Sequence, residues 1–463
     1  MAARLNTGPQ LAYQALLAAI AVGLGLLAGL DPKLAVAAAI GLAFVVLVLG
    51  DLTFGLCLFA IVSFLDLLPT LGGSLLSFSK IVGLLIAVSW LAKVSTSDDA
   101  RNDFLAAHPV FSYVLGLFLG WSALSLTWAE DAAAGRTSVM RFALNLILFL
   151  IVYTAVRTPK QFVLTVGAYV TGAAIAAAYG LLFPPQDTAY YDVSRVGGTL
   201  GDPNELAAVL VPGMILGAAL AFALKRLPLV RIAALIASVL CAAGVFLTLS
   251  RGGLIAAVVA LTASAFVAGR WRIQAITLAL AVVLGGLFYF GFVASEDAVN
   301  RVTEVEGGSG RTDLWKVGLR MVEAEPVAGV GVGNFQTASV HYLLEPGVLR
   351  RDEFIVDNPK SAHNTYLHVL AELGFVGFAL FAAINLFALL CILRAARIFE
   401  RLGSHDLELL ARALLVAITG VLAANFFISE MFGKQLWLLL GLGPALLGVA
   451  RAMRADSLSE RSA

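Results

Sequence analysis

The chain has 463 residues, of which 60% are hydrophobic and 13% charged, and its mean hydropathy is +0.92. A soluble domain needs a solvated surface and cannot carry this composition, so the chain is predicted to be an integral membrane protein. Lys and Arg number 31 and Asp and Glu 30, for a net charge of +1. This balance excludes a basic nucleic-acid binder and an acidic disordered chain.

Apolar runs predict an all-α fold, a polytopic transmembrane helical bundle. A bilayer core of about 30 Å requires about 20 apolar residues per helix, and continuous runs exclude a barrel of alternating strands. The second and third runs are short and could be re-entrant, so we expect 12 to 14 spans. The candidate spans are 11–30, 34–50, 52–68, 75–92, 109–128, 139–156, 162–183, 205–224, 230–249, 252–268, 273–294, 365–393, 408–429 and 435–450.

Basic residues in alternate connections predict the orientation of the bundle. If the N-terminus lies on the inner side of the membrane, most of the Lys and Arg residues lie on that side too. They lie in the inner connections between spans and in the two termini. The first run has no convincing cleavage site and is interpreted as a retained span rather than a signal peptide. The inner basic residues are Arg4, Lys93, Arg101, Arg157, Lys160, Lys225, Arg226, Arg231, Arg270, Arg272, Arg394, Arg397, Arg401, Arg412, Arg451, Arg454 and Arg461.

The outer side then carries two notable loops. Segment 295–363 is too long for an ordinary connection, and loops of this length tend to be functional or disordered. Apolar residues at helical spacing in 311–323 predict an amphipathic helix within it. The smaller loop, 184–204, is rich in Pro, Gly and Asp and is predicted to form turns.

Arg251, in "LTLSRGGL", lies between two apolar runs. It is either a helix-end arginine that reaches the headgroups or a cation that binds an anion such as diphosphate. Gly252 and Gly253 would permit close backbone approach, and a helix starting there would direct its N–H groups at the same anion. Both interpretations stay open on these residues alone.

Arg311 follows three glycines and begins the predicted amphipathic helix. Its guanidinium could form a bidentate pair with phosphate; alternatively it is a solvated charge that pairs with Asp313. Trp315, one turn later, suits packing or an interfacial position better than sugar stacking, although its shape permits both.

His363 stands where the long outer loop re-enters the membrane, in "SAHNTYLH". It titrates near neutral pH and could accept a proton from a sugar hydroxyl as a general base, or it could be a cap or packing residue. His368 lies about 140° further round a helix, so the two cannot form one metal site. Without a convincing cluster of ligands, we predict neither a metal nor another cofactor, and the lone cysteines Cys57, Cys241 and Cys391 are interpreted as small buried hydrophobic residues.

Two weaker motifs complete the survey. "GVGVGNF" at 329–335 resembles a dinucleotide loop but lacks the strand and helix that such a loop requires. "GDPNELA" at 201–207 predicts a turn and a helix start, with Asn204 or Pro203 at the cap and Arg195 as a possible member of an anion site. Motifs for serine hydrolysis, ATP hydrolysis or zinc proteolysis are absent from the sequence.

The order of several segments resembles the O-antigen ligase and O-antigen polymerase superfamily of bacterial membrane glycosyltransferases. The resemblance covers residues from about 110 to 395. The segments are "WSALSLTWAED" (121–131), "GGTLGDPNELAAVLVP" (197–212), "LTLSRGGL" (247–254), "GRTDLWKVGLRMVEAEPVAGVGVGNF" (310–335) and "HNTYLHVLAELGFVGF" (363–378).

The resemblance implies a metal-independent transferase in the bacterial inner membrane, with its active site on the periplasmic face. Its donor would be a glycan on undecaprenyl diphosphate, and its acceptor a sugar hydroxyl of lipid A-core or of a similar glycan. His363, Arg251 and Arg311 match the family's functional histidine and arginines. Arg195, Asn204, Trp315, Asn364 and Tyr366 are expected to contribute to substrate binding.

On this interpretation the chain divides into transmembrane helices (1–294), a periplasmic catalytic loop (295–363), C-terminal transmembrane helices (364–450) and a cytoplasmic tail (451–463). The two arginines would hold the diphosphate while His363 accepts the proton, with direct attack inverting the anomeric centre. A ligase is favoured over a polymerase, because Arg195 is the only candidate arginine in the smaller loop. Transport of a small solute such as bicarbonate is the alternative from another class, but Asp66, Lys80 and Glu372 are expected near span ends, not at mid-span.

Overall fold

The computed structural model describes residues 8–65, 78–96, 103–184, 195–303, 310–343 and 359–462. These residues form helices and connections, with no strand among them. Ten of the helices in the described part of the chain are long and apolar enough to cross a membrane, and shorter apolar helices precede them or, like Arg251–Val267, lie between them. The predicted all-α polytopic bundle is therefore confirmed.

Eighteen α-helices are present in the described part of the chain. They are α1 (Gly8–Leu30), α2 (Pro32–Gly50), α3 (Leu52–Val62), α4 (Phe78–Thr96), α5 (Phe104–Ala107), α6 (Pro109–Leu124), α7 (Ala132–Ala155), α8 (Pro159–Leu182), α9 (Pro203–Ala223), α10 (Pro228–Leu247), α11 (Arg251–Val267), α12 (Arg272–Phe288), α13 (Glu296–Thr303), α14 (Arg311–Ala324), α15 (Phe335–Ser339), α16 (Thr365–Arg401), α17 (His405–Ala424) and α18 (Lys434–Ser462).

Each of the fourteen predicted spans overlaps one of these helices, but several boundaries differ. α2 is a continuous helix of 19 residues, whereas α3 has only 11 and ends at Val62. Asp66 lies outside the described residues. α17 ends at Ala424, five residues before the predicted end of its span, and α18 continues through the predicted tail to Ser462. The amphipathic helix expected at 311–323 is present as α14.

Helix α9 is the centre of the bundle. It is the most buried of the candidate spans in the described part of the chain, and it packs against α8, α10, α11 and α17. Small residues make this packing possible: a Cβ on Gly213 would lie 2.8 Å from Ala173, and one on Gly217 would lie 3.1 Å from Ser238. Cys241 and Cys391 are buried, and neither forms a disulfide.

The glycine-rich segment 326–335 anchors the long loop to a kink in α16. Gly374 is non-helical within that helix, and Phe375 N–H donates to Pro326 O (2.8 Å). Nearby, the Glu372 side chain is only 2% exposed and accepts hydrogen bonds from Gly333 N–H (2.8 Å), Phe335 N–H (2.9 Å) and the His368 ring (3.0 Å). The "GVGVGNF" sequence therefore binds a buried carboxylate, which lies seven residues after the start of α16.

This anchor predicts a large loss of stability for Glu372→Ala. The substitution leaves two buried N–H groups without their acceptor, and breaking a buried charged network costs about 3–5 kcal/mol. The thermal unfolding temperature of purified protein in detergent measures the effect. Glu323→Ala removes an exposed carboxylate from α14 and is the matched control. Equal unfolding temperatures for the two variants would contradict the anchoring role.

Candidate active site

Three helices begin close together on one face of the bundle, which we call the His363 face. Asp202 caps α9 by accepting from Asn204 N–H (2.6 Å), and Ser250 caps α11 by accepting from Gly253 N–H (3.2 Å). Asn364 caps α16 through Tyr366 N–H (3.0 Å) and Leu367 N–H (3.1 Å). Because the N-terminus of a helix carries partial positive charge, this face favours an anion.

The cap of α9 differs from the prediction. Asp202 accepts the cap hydrogen bonds, whereas Pro203 and Asn204 are the first two residues of the helix. The Asn204 side chain instead connects two elements, because its Oδ1 accepts from the Ser250 hydroxyl (2.9 Å) and from Arg195 Nη2 (3.1 Å). Since Arg195 Nε also donates to Thr248 O (3.0 Å), the predicted pair Arg195 and Asn204 joins the starts of α9 and α11.

Arg251 is the first residue of α11 and is exposed. Its Nε donates to Arg301 O (2.8 Å), which holds helix α13 beside it. The two glycines that follow serve packing between helices. A Cβ on Gly252 would lie 2.5 Å from Phe427 Cβ, and one on Gly253 would lie 2.4 Å from Ala207 Cβ. The interpretation of these glycines as space for a ligand is therefore not supported.

Arg311 is half-buried at the start of α14, directly after Gly310 in the left-handed conformation (φ +69°). Burial lowers the pKa of Arg311 from its ordinary value; Asp202 opposes this shift, and the charges of Arg251 and Arg301 add to it. Three arginines and Asp202 therefore influence one another at this face. Asp313 of the same helix pairs with Lys316 (3.1 Å).

His363 is half-buried and precedes the Asn364 cap, so it is not itself the cap of α16. Burial, together with the charges of Arg311 and Lys360, lowers the pKa of His363 to about 4, and Asp202 acts in the opposite direction. The imidazole is thus neutral near pH 7, which is the form that accepts a proton. Its pKa also shows that it lies within electrostatic range of Arg311.

Backbone strain marks the same two helix starts. Among the described residues, Leu249 and His363 are the two non-glycine residues with positive φ, each at +49°. Each directly precedes the cap of its helix, Ser250 for α11 and Asn364 for α16. Strain of this kind costs about 1–3 kcal/mol and is found mainly at functional sites. It supports the choice of this face as the candidate active site.

The remaining predicted binding residues contact the protein itself. Trp315 Nε1 donates to Ala362 O (3.0 Å), so this ring fixes the backbone next to His363. Tyr366 donates its hydroxyl to Leu422 O (2.6 Å), and the Asn364 side chain is occupied by capping. These contacts indicate that the three residues position the start of α16. Their expected part in substrate binding stays a prediction.

Sequence reasoning missed segment 425–433, the connection between α17 and α18. Thr365, the first residue of α16, donates its N–H to Asn425 O (2.8 Å) and its hydroxyl to Ile428 O (2.8 Å). Glu430 N–H donates to Thr365 Oγ1 (2.9 Å). The predicted span 408–429 treated most of this segment as membrane helix. The polar residues of "NFFISEMFGK" were the available signal for a structured connection.

Within the described ranges, no group of three or more His, Cys, Asp or Glu side chains could hold a metal ion. The fold is thus that of a multi-pass membrane protein, and its candidate site consists of arginines, a neutral histidine and helix N-termini.

Comparison with known families agrees with the resemblance. Residues 236–382 match the model of the family described as O-Antigen ligase. This match supports the O-antigen ligase and polymerase superfamily and implies a membrane enzyme of glycosyltransferase type. The matched segment runs from α10 into α16 and includes Arg251, Arg311 and His363. None of the curated proteins compared with the chain matches it.

Proposed function

We propose that the protein is an O-antigen ligase-like glycosyltransferase. It transfers a glycan from undecaprenyl diphosphate to a sugar hydroxyl of lipid A-core or of a similar acceptor, with inversion and without a metal. The observation that carries this proposal is the placement of a neutral His363 within electrostatic range of Arg311, on a face where three helices begin. The family match includes these residues and supports the same reaction class.

Each group has a defined role in the reaction. Arg251 and Arg311 bind the diphosphate oxygens, and the helix N-termini add partial positive charge. His363 accepts the proton of the acceptor hydroxyl as its oxygen attacks the anomeric carbon. The bond from that carbon to the diphosphate oxygen breaks, and its electron pair stays on undecaprenyl diphosphate. The imidazolium then releases its proton, which restores neutral His363.

The orientation of this site follows from the basic loops. Arg270 lies 3.4 Å from Glu408, and Arg412 lies 2.9 Å from the same carboxylate, which groups the connections at 269–271 and 402–404 at the opposite end of the bundle. Because such basic connections stay in the cytoplasm, the His363 face lies on the periplasmic side of the inner membrane. Both termini lie in the cytoplasm on this proposal.

The choice of ligase over polymerase rests on Arg195. This residue is the candidate partner arginine in the smaller loop, and its guanidinium is engaged by Thr248 O and Asn204 Oδ1. The lipopolysaccharide of a deletion strain tests the choice. Rough core with accumulated lipid-linked polymer supports a ligase, whereas core that carries a single repeat unit supports a polymerase. An unchanged pattern would overturn both.

The low pKa of His363 predicts an unusual pH profile. Because this base is neutral above pH about 4 in the free protein, kcat/KM for transfer should stay level from pH 7 to 5 and fall only near 4. Lys360 is one of the charges that lower this pKa. Lys360→Met should therefore raise the pKa and move the acid limb to higher pH. A fall in wild-type kcat/KM near pH 6.5 that Lys360→Met does not shift would contradict the assignment of His363 as the base.

A further inference from the structure

Segment 425–433 connects the start of α16 with α7 and α18. Its contacts with Thr365 hold the start of α16, and Asn145 of α7 donates to Phe432 O (3.1 Å). The segment then leads directly into α18, where Trp437 Nε1 donates back to Met431 O (2.8 Å). The position of His363, two residues before Thr365, therefore depends on this segment.

The side chain of Glu430 links the same segment to α9 through a hydrogen bond with the side chain of Glu205. An ionised carboxylate only accepts hydrogen bonds, so two carboxyl groups in this contact must hold a proton between them. Glu205 lies in the first turn of α9, where the helix dipole favours the ionised form. The proton is therefore assigned to Glu430.

The charges around Glu430 agree with this assignment. Burial raises the pKa of Glu430 well above its ordinary value; Glu205 and Asp202 raise it further, and Lys434 at the start of α18 lowers it. Three other elements next to the segment carry charged or titratable groups. They are α7, whose Arg141 guanidinium lies 5.6 Å from the centre of the Phe432 ring, the residues before α16, which include His363, and α11, which begins with Arg251 and packs Gly252 against Phe427.

Buried polar atoms without a hydrogen-bond partner among the described residues distinguish this segment from a purely structural turn. Asn425 is fully buried, yet among the described residues neither its Oδ1 nor its Nδ2 has a hydrogen-bond partner. The buried hydroxyl oxygen of Ser429 is likewise unpartnered there. Buried polar groups are normally satisfied, and those that are not tend to have a functional reason.

We propose that protonated Glu430 is a positioning residue for His363. The hydrogen bond from its carboxylic acid to Glu205 holds segment 425–433 against α9, and the segment in turn holds the start of α16. Loss of the proton places two carboxylates in contact, which separates the segment from α9 and moves His363 away from the acceptor hydroxyl. Transfer then falls as the pH rises and Glu430 loses its proton. This inference rests on the proposed glycosyltransferase function.

The test compares pH profiles of Glu430→Gln and Glu430→Ala for transfer from lipid-linked donor by purified protein. Gln keeps a neutral donor toward Glu205, so Glu430→Gln should match the maximal kcat of the wild type and lose its decline at higher pH. Glu430→Ala removes the hydrogen bond and should lower kcat at every pH, by on the order of 100-fold for a base displaced by about 1 Å. KM for the donor should change little in both variants.

Glu323→Gln, which alters an exposed carboxylate on α14, is the control and should keep the wild-type profile. A decline of kcat with rising pH in Glu430→Gln identical to that of the wild type overturns the inference, as does a loss of kcat equal to that of Glu430→Ala. If Glu430→Ala fails to fold, the pH profile of Glu430→Gln alone still tests the positioning role of Glu430. If the wild type is active and the Glu430 variants keep its pH profile, only this positioning role is refuted. If the wild type transfers no glycan, the proposed function is refuted.

Discussion

Replacement of His363 by alanine is expected to lower the rate of glycan transfer by about 10²–10⁴-fold, the usual contribution of a general base. The reason is that the alanine variant has no group at this position that accepts the proton of the acceptor hydroxyl. The pKa of His363, lowered to about 4, keeps the imidazole in its proton-accepting form at neutral pH. Single-turnover transfer with saturating donor and acceptor measures the chemical step directly.

His341 provides a matched control in the same outer segment. Its ring is exposed and lies 3.1 Å from the Glu130 carboxylate. His341→Ala should therefore transfer glycan at the wild-type rate. His363→Gln should be as slow as the alanine variant, because an amide does not accept the proton. Wild-type rates in both His363 variants would remove the base from the mechanism.

The second large effect is expected at Arg311. Arg311→Ala should lower kcat by about 10²–10³-fold, the typical loss when one group that stabilises developing charge is removed. Arg311→Lys keeps the charge but loses the planar pair of donors, so we expect only partial recovery. The initial rate of undecaprenyl diphosphate release from lipid-linked donor measures both variants.

Arg320 is the control for charge on the same helix. It lies nine residues further along α14, about 13 Å away by the helix rise, and Nη1 donates to Tyr342 O (3.2 Å). Arg320→Lys should keep the wild-type rate of release. If Arg311→Ala releases undecaprenyl diphosphate as fast as Arg320→Lys, the diphosphate is not held by Arg311.

Much of the fold could be predicted because local rules decide it. Continuous apolar runs require helices in a membrane, and the spacing of Leu314, Val317, Met321 and Val322 places one face of α14 in a core. The helix ends were less predictable. Asp202 and Asn204 are both good caps by residue type, and only the backbone geometry selects Asp202.

The candidate site residues could be proposed from the sequence one by one, but their arrangement could not. Arg251, Arg311 and His363 stand out as single polar residues beside apolar runs or glycines. Their grouping depends on long-range contacts such as Thr365 with segment 425–433, which no local pattern encodes. The same limit applies to Gly252 and Gly253, whose role follows from the closeness of Phe427 and Ala207.

The most direct measurement is transfer by the purified protein in lipid vesicles, with a glycan on undecaprenyl diphosphate as donor and lipid A-core as acceptor. We predict that glycan moves to the acceptor and undecaprenyl diphosphate is released, at the same rate with and without EDTA, and that His363→Ala slows both by about 10²–10⁴-fold. Absence of transfer, or transfer that EDTA stops and a divalent cation restores, would contradict the proposed metal-independent glycosyltransferase. Solute movement without any glycan transfer would instead support a transporter.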